Sequence, residues 1–403
     1  MSVERVAFIT FHACPLSAPG QGKAGGMNVY VRQLARSLGN LGIEVDIFTR
    51  NHPEAIDTIE PISPNVRIVH LPGGDPQAPM EDLFSDLPGF LEALRRFRER
   101  EQLTYQAVHS HYWLSGWVGR ALAQSLAIPH IITFHTLALI KMQSRAGEKE
   151  PLPRQQVERE LMADADKIIA FSPHERDAMV RLYDTDPERI ELVPCGVDLS
   201  VFRPLDQEES RKRLGLNGDK VLLYVGRIES LKGLDLLVHT AAHLETCYPV
   251  LVLVVGGDNG KDQEIDRLRR LAQELKVDEK IDFVGRVDQE ELPLYYSAAD
   301  VCVVPSFYES FGLAALESMA CGTPVVASRV GGLSTIIQHG RTGYLKSWRC
   351  PEAFANSLEM IISSKSLQDC MGLAARRRAE GMGWDQVAAG IARIYESLAE
   401  KTD

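Results

Sequence analysis

Two carboxylates and a helix start lie close together in the run Ser306-Phe307-Tyr308-Glu309-Ser310-Phe311-Gly312-Leu313-Ala314-Ala315-Leu316-Glu317. Glu309 falls in the loop after Asp300–Pro305, an apolar, β-branched stretch whose composition predicts a buried strand. Glu317 falls about two turns later, in a short helix that Gly322 and Pro324 stop. Between the acids, Phe311, Gly312 and Leu313 supply the amides of a helix N-terminus, which lack intrahelical partners and hold anions. Acids on both sides of an anion cradle suit a ligand that offers hydroxyls to the acids and phosphate to the amides. A nucleotide sugar offers both.

Three further groups carry chemistry. In Gly226-Arg227-Ile228-Glu229-Ser230-Leu231-Lys232-Gly233, two cations come straight off a strand end. Fixed cations there suit a diphosphate, each charge-assisted contact being worth about 1.5–3 kcal/mol; solvated surface charges are the plainer reading. The loop Pro19-Gly20-Gln21-Gly22-Lys23-Ala24-Gly25-Gly26-Met27-Asn28 formally spells G-x-G-x-x-G. It begins about ten residues past its strand, and Asp46 lies inside a strand rather than at its end, so a nicotinamide dinucleotide site is disfavoured. A loop closing over a pyrophosphate, then a helix from Gly26, fits better. Finally, His109-Ser110-His111-Tyr112-Trp113 and Thr133-Phe134-His135-Thr136 end two strands. Their spacing is not that of common zinc sites, so His135 and Thr136 read as polar contacts to a sugar or acceptor, and His109 as a satisfied strand histidine. Arg286-Val287, at another strand end, faces a nucleobase through its backbone on this reading.

These residues need elements to hold them. Strand patterns at Val6–Thr10, Glu44–Thr49, Arg67–His70, Ala107–Ser110, His130–Thr133 and Lys167–Phe171 alternate with helical ones at Gly26–Leu41, Leu87–Glu101, Trp113–Leu126 and Gln155–Ala163. The second half restarts with strands at Lys220–Gly226, Val250–Gly256, Lys280–Val284, Asp300–Pro305 and Pro324–Ser328, separated by helices at Gly233–Glu245, Gln263–Leu275 and Glu290–Ala298. Such alternation predicts an α/β chain of two Rossmann-like, doubly wound domains facing across a cleft, with ligands outside the strand carboxyl ends. The expected bounds are 1–198 for an acceptor domain and 199–383 for a nucleotide-sugar domain, with a helix at 384–403 packing back on either one.

Bulk properties narrow the partners. At 403 residues, with 45% hydrophobic and 25% charged residues, the chain is an ordinary globular one. A net charge of −11 excludes a nucleic-acid binder, which needs a basic surface. The seven cysteines are scattered, odd in number and without a CxxC pair, which predicts neither a disulfide nor a zinc framework, and several lie in apolar strand or helix contexts that predict buried thiols. The start shows no signal pattern, and the longest apolar runs, such as Val250 to Val255, are strand-length; a cytoplasmic protein, with membrane contact not expected, follows. The basic helix around Leu94-Arg95-Arg96-Phe97-Arg98-Glu99-Arg100 leaves a peripheral membrane enzyme acting on a phosphoinositide-type lipid as an alternative.

The E-x7-E pair (Glu309, Glu317), the Gly-Arg-x4-Lys element (Arg227, Lys232) and the doubled Rossmann pattern together resemble the retaining GT-B glycosyltransferases of family 4 over essentially the whole chain. The stretches His12–Pro15, Ala24–Val31, His109–Gly116 and His135–Ala138 resemble the D-inositol-3-phosphate transferases of the mycothiol type within that family. The resemblance implies a metal-independent hexosyltransferase using UDP-glucose or UDP-GlcNAc as donor, with no other cofactor and homodimerisation a possibility. It implies that Glu317 holds the ribose hydroxyls and that Arg227 and Lys232 hold the diphosphate. Glu309 and the amides of Phe311, Gly312 and Leu313 take the transferred sugar, Gly25 and Gly26 close over the pyrophosphate, and His135 contacts the donor sugar. Asn28, Tyr112, Thr136 and Arg154 match acceptor-side positions. The resemblance further implies an internal-return path in which the leaving phosphate helps deprotonate the acceptor. One element departs: residues 73–84 lack the lysine that grips inositol phosphate and carry extra acids, so fructose 6-phosphate, giving a sucrose-phosphate-type product, competes as acceptor.

Overall fold

A computed structural model of the chain describes residues 3–17, 25–52, 58–75, 78–80, 82–216, 218–257 and 263–402. Contacts divide it into two compact units, one of Met1–Ser17, Gly26–Cys195 and Trp384–Asp403, and one built on Gly196–Gly383.

The first unit carries, among the described residues, strands β1 (Arg5–Ile9), β2 (Glu44–Arg50), β3 (Ile59–Ser63), β4 (Val66–Leu71), β5 (Ala107–His111), β6 (His130–Thr133), β7 (Lys167–Ala170) and β8 (Ile190–Leu192), in the order β3-β4-β2-β1-β5-β6-β7-β8. Val6, Ala7, Phe8 and Ile9 are all fully buried, as the strands of a sheet covered on both faces must be. Full burial of a side chain such as Phe8 or Ile47 is worth about 1.5–3 kcal/mol. The sheet is parallel except for β3, which runs antiparallel to β4. The sequence pattern missed this edge strand, because Pro61 interrupts it; proline is tolerated at an edge, where its absent N–H breaks no ladder. Asn65, with φ +63°, turns the chain from β3 into β4. The helix Trp384–Thr402 belongs to this unit, where the Trp384 ring lies 5.5 Å from Tyr30 and the Tyr395 hydroxyl 2.7 Å from His109 Nδ1.

The second unit holds β9 (Lys220–Val225), β10 (Val250–Val255), β11 (Ile281–Gly285), β12 (Val301–Val304), β13 (Val325–Ser328) and β14 (Gly343–Lys346), all parallel, in the order β11-β10-β9-β12-β13-β14. Leu222, Val252, Val301, Val303 and Val326 form the centre of its core with Phe354 and Leu358 from the helix Pro351–Ile362. Successive strands are added on one side of β1 and then, from β5, on the other, and in the second sheet the same switch falls between β9 and β12. Such switch points open a crevice at the strand carboxyl ends.

Helices that the sequence pattern left out include Pro173–Tyr183, Gln207–Arg213 and Lys365–Glu380. Their starts are fixed by caps rather than by apolar period: the side chains of Ser172, Asp206 and Ser364 accept from the amides of Glu175, Glu209 and Leu367. In the basic helix Leu87–Arg100, Arg96 pairs with Glu92 at 2.9 Å and Arg100 with Glu101 at 3.0 Å, while Leu87, Phe90, Leu94 and Phe97 are buried. Among the described residues no helix is long and apolar enough to cross a membrane.

Candidate functional site

In the second unit the chain leaves β9 and β12 side by side at the switch point. Arg227 and Lys232 follow β9, and Glu309 follows β12. The two loops are stitched together, the Phe307 amide donating to the Leu231 carbonyl at 2.8 Å. Lys232 Nζ meets Glu309 Oε1 at 2.6 Å, and the Ser306 hydroxyl donates to the same oxygen at 3.0 Å. Arg227 is exposed and pairs with Glu229 at 3.0 Å. Arg349 donates to the Pro305 carbonyl at 2.7 Å with its guanidinium 3.2 Å from the centre of the Phe307 ring, bracing the loop.

The helix Leu313–Ala320 begins at Gly312, whose φ of +101° is left-handed and open to glycine at no steric cost. Phe311 is buried and Leu313 half-buried. Glu317, about one turn in, is 8% exposed and accepts from the Tyr296 hydroxyl at 2.9 Å. Burial pushes its carboxyl up to about 7, against the opposing pull of the Tyr296 hydrogen bond. Arg286 and Val287 follow β11, two strands from β9; Arg286 is exposed and lies 4.0 Å from Asp288.

In the first unit, Tyr112 and His135 follow β5 and β6 with φ of +79° and +62°. Both are non-glycine residues in sparsely populated backbone, a strain of about 1–3 kcal/mol each that clusters at functional sites. Arg154, 3% exposed, joins three of the four acceptor-side candidates: it donates to Thr136 Oγ1 at 3.0 Å and to the Thr136 carbonyl at 2.9 Å, and lies 4.9 Å over the Tyr112 ring. Two carboxylates hold it, Glu158 at 2.7 Å and Glu150 at 2.8 Å. Burial alone would lower the Arg154 guanidinium, but Glu158, Tyr112 and Glu150 together hold it above its ordinary range. Asn28 is buried in the helix Gly26–Asn40 and donates to the Cys14 carbonyl at 2.7 Å rather than joining the Arg154 group. Gly26 opens that helix and Gly25 precedes it; Pro19 to Ala24 lie outside the described residues.

The histidines form a buried polar chain. His111 Nδ1 is 3.2 Å from His135 Nε2, and His109 spends one ring nitrogen on Tyr395 and the other on Thr133 at 2.8 Å. Burial, then neighbouring histidines, pushes His109 down to about 3 and His111 and His135 well below the usual range, so all are neutral near pH 7. Sequence reasoning missed Glu150, Glu158, Tyr296 and Arg349. Glu158 carried a readable signal, lying at i+4 from Arg154 on the helix Leu152–Asp164, whereas Glu150 precedes that helix.

The family described as Glycosyltransferase Family 4 matches residues 24–201, and that described as Glycosyl transferases group 1 matches residues 206–378. A D-inositol 3-phosphate glycosyltransferase of Frankia alni is 41% identical over 399 residues, covering 95% of this chain and 97% of that one. Another, from Catenulispora acidiphila, is 41% identical over 411 residues, 98% of this chain and 95% of its own. The solved sucrose-phosphate synthase of Thermosynechococcus elongatus superposes with a TM-score of 0.91 at 36% identity, over 99% of this chain and 100% of that chain. The Anabaena protein HepE, solved with UDP-glucose, shares the fold at a TM-score of 0.78 and 18% identity, over 98% of this chain and 100% of its own. With two parallel-sheet α/β units and matches of this length, the chain belongs to the GT-B glycosyltransferases of family 4.

Proposed function

We propose that the chain moves a hexosyl unit from a UDP-sugar, UDP-glucose or UDP-GlcNAc, to a small phosphorylated polyol or sugar, with retention at the anomeric carbon. The observation that carries this reading is the Lys232–Glu309 pair at 2.6 Å, which brings a cation and a carboxylate together at the switch point beside the helix start at Gly312. The cation faces the diphosphate and the carboxylate the transferred sugar. Arg227, Lys232 and the amides of Phe311, Gly312 and Leu313 stabilise charge on the leaving diphosphate as its bond to the anomeric carbon breaks. No divalent ion is needed for that step. Glu317 accepts from the ribose hydroxyls, the backbone at Arg286 and Val287 meets the base, and Gly25 and Gly26 close over the pyrophosphate. His135, neutral and rigidly placed, hydrogen-bonds the donor sugar. The acceptor oxygen attacks from the face that the phosphate leaves, which passes its proton to the departing phosphate oxygen.

Acceptor phosphate is assigned to Arg154, Thr136 and Tyr112, with Asn28 at a hydroxyl. The names of the 41% identical relatives and of the 36% identical synthase all carry a phosphate ester, which supports this class. The lysine-free stretch 73–84 favours a second reading, transfer to fructose 6-phosphate. Calorimetric titration with UDP tests the donor half: Glu317→Ala should weaken UDP binding by about tenfold or more, and Lys232→Ala should cut turnover by about a hundredfold or more. Wild-type behaviour of both variants would remove the site assignment.

A further inference from the structure

Cys14, His52 and His70 come from three separate stretches of the chain. Cys14 lies in the loop after β1, His52 just beyond β2, and His70 near the end of β4. Since β4, β2 and β1 are neighbours in the sheet, their carboxyl ends bring the three side chains together. One ligand atom from each lies within 4.8 Å of the others. Cys14 Sγ is 3.6 Å from His70 Nε2. Tetrahedral zinc, with Zn–S about 2.3 Å and Zn–N about 2.0 Å, separates a sulfur from a nitrogen ligand by about 3.6 Å. The rings of His52 and His70 sit 5.1 Å apart at 74°. Behind His70, Glu60 Oε1 stands 3.5 Å from Nδ1, the nitrogen turned away from Cys14. A carboxylate behind a histidine fixes the tautomer and strengthens the ligand in metal sites. Cys14 and His70 are buried and His52 half-buried, so an ion would be shielded yet reachable.

We propose that Cys14, His52 and His70 form a binding site for one thiophilic divalent ion of the zinc type, with Glu60 orienting His70. Binding releases the Cys14 thiol proton to solvent, and the three protein ligands leave the fourth tetrahedral position to water. The ion ties the loop after β1 to the ends of β2 and β4. Because Cys14 also accepts the Asn28 amide through its carbonyl at 2.7 Å, the ion fixes the approach to the helix Gly26–Asn40. It takes no part in sugar transfer, and the inference stands independently of the donor and acceptor proposed above.

Cobalt(II) is the probe. The full-length chain, stripped with a chelator and titrated with cobalt, should take up one ion per chain, with a thiolate-to-cobalt charge-transfer band and the intense visible bands of tetrahedral coordination; zinc should then bleach both. Cys14→Ser should abolish the charge-transfer band and weaken uptake at least tenfold, while circular dichroism stays that of the wild type. Glu60→Gln should keep the bands and weaken binding by about 10–100-fold. A half-exposed alternative, His52→Ala, should lose the tetrahedral signature without touching the sheet interior. Absence of stoichiometric uptake, or a cobalt spectrum identical in wild type and Cys14→Ser, overturns the proposal and leaves the 3.6 Å contact as a thiol–imidazole hydrogen bond.

Discussion

Glu317 answers to two opposed demands. The proposed ribose contact needs an ionised carboxylate, yet burial pushes the group up to about 7 from an ordinary 4.5. Between those values the folded chain keeps a proton that the unfolded chain has released. The ionised, buried group is therefore a stability cost, fully present above pH 7 and lost as pH falls toward 4.5. Glu317→Gln, which keeps an acceptor for Tyr296, should melt above the wild type at pH 8, with the difference shrinking toward pH 5, while its UDP affinity falls. Thermal denaturation at the two pH values checks the first part; a variant that melts lower at pH 8 than at pH 5 relative to wild type would contradict it. Glu309, Glu317, Arg227 and Lys232 were legible in the sequence because each pair lies within a few residues on a strand–loop–helix unit. Tyr296 and Arg349 were not, since each reaches its partner from a different element, and Cys14, His52 and His70 have no spacing that could announce them.

At the scale of elements, the loop after β12 depends on a neighbour that sequence reading passed over. Gly331, with φ +46°, packs so close to this loop that a Cβ would fall 1.8 Å from the Glu309 carbonyl oxygen. The Gly332 amide then donates to that oxygen at 3.1 Å. Gly331→Ala must push Glu309 away from Lys232 and strain a left-handed backbone, at a cost of more than about 1 kcal/mol. Turnover should fall at least tenfold with a modest drop in melting temperature; unchanged turnover would mean that the loop's position is unimportant. The parallel strands were readable because both faces are covered, which writes unbroken apolar runs such as Val301–Val304. The edge strand β3 and the capped helices were not, since Pro61 interrupts the one and the others announce themselves by a single capping residue.

At the scale of the whole molecule, the first unit keeps four neutral buried histidines. His109 and His130 are held down to about 3 by burial, and His111 and His135 well below 6.5. Their stability contribution is complete above pH 6.5 and lost as pH falls below it, because only the unfolded chain takes up those protons. Glu175, pushed up to about 7 by burial, works the other way but is one group against four. Trp113, Trp117 and Trp384 lie in this unit, whereas Trp348 is 81% exposed. Tryptophan fluorescence should therefore report a melting temperature that falls between pH 7.5 and pH 5.5; a constant or rising value would contradict the neutral-histidine account. The doubled α/β pattern was legible in sequence, while the grouping of Arg154 with Thr136 and Tyr112 was not, because it joins side chains from separate elements. The most direct test incubates the enzyme with UDP-glucose or UDP-GlcNAc and a panel containing inositol 3-phosphate and fructose 6-phosphate, and follows the anomeric proton of the product by NMR. The expected result is an α-linked product on a phosphorylated acceptor, formed without added metal. A β-linked product, or UDP release with sugar passing only to water, would contradict it.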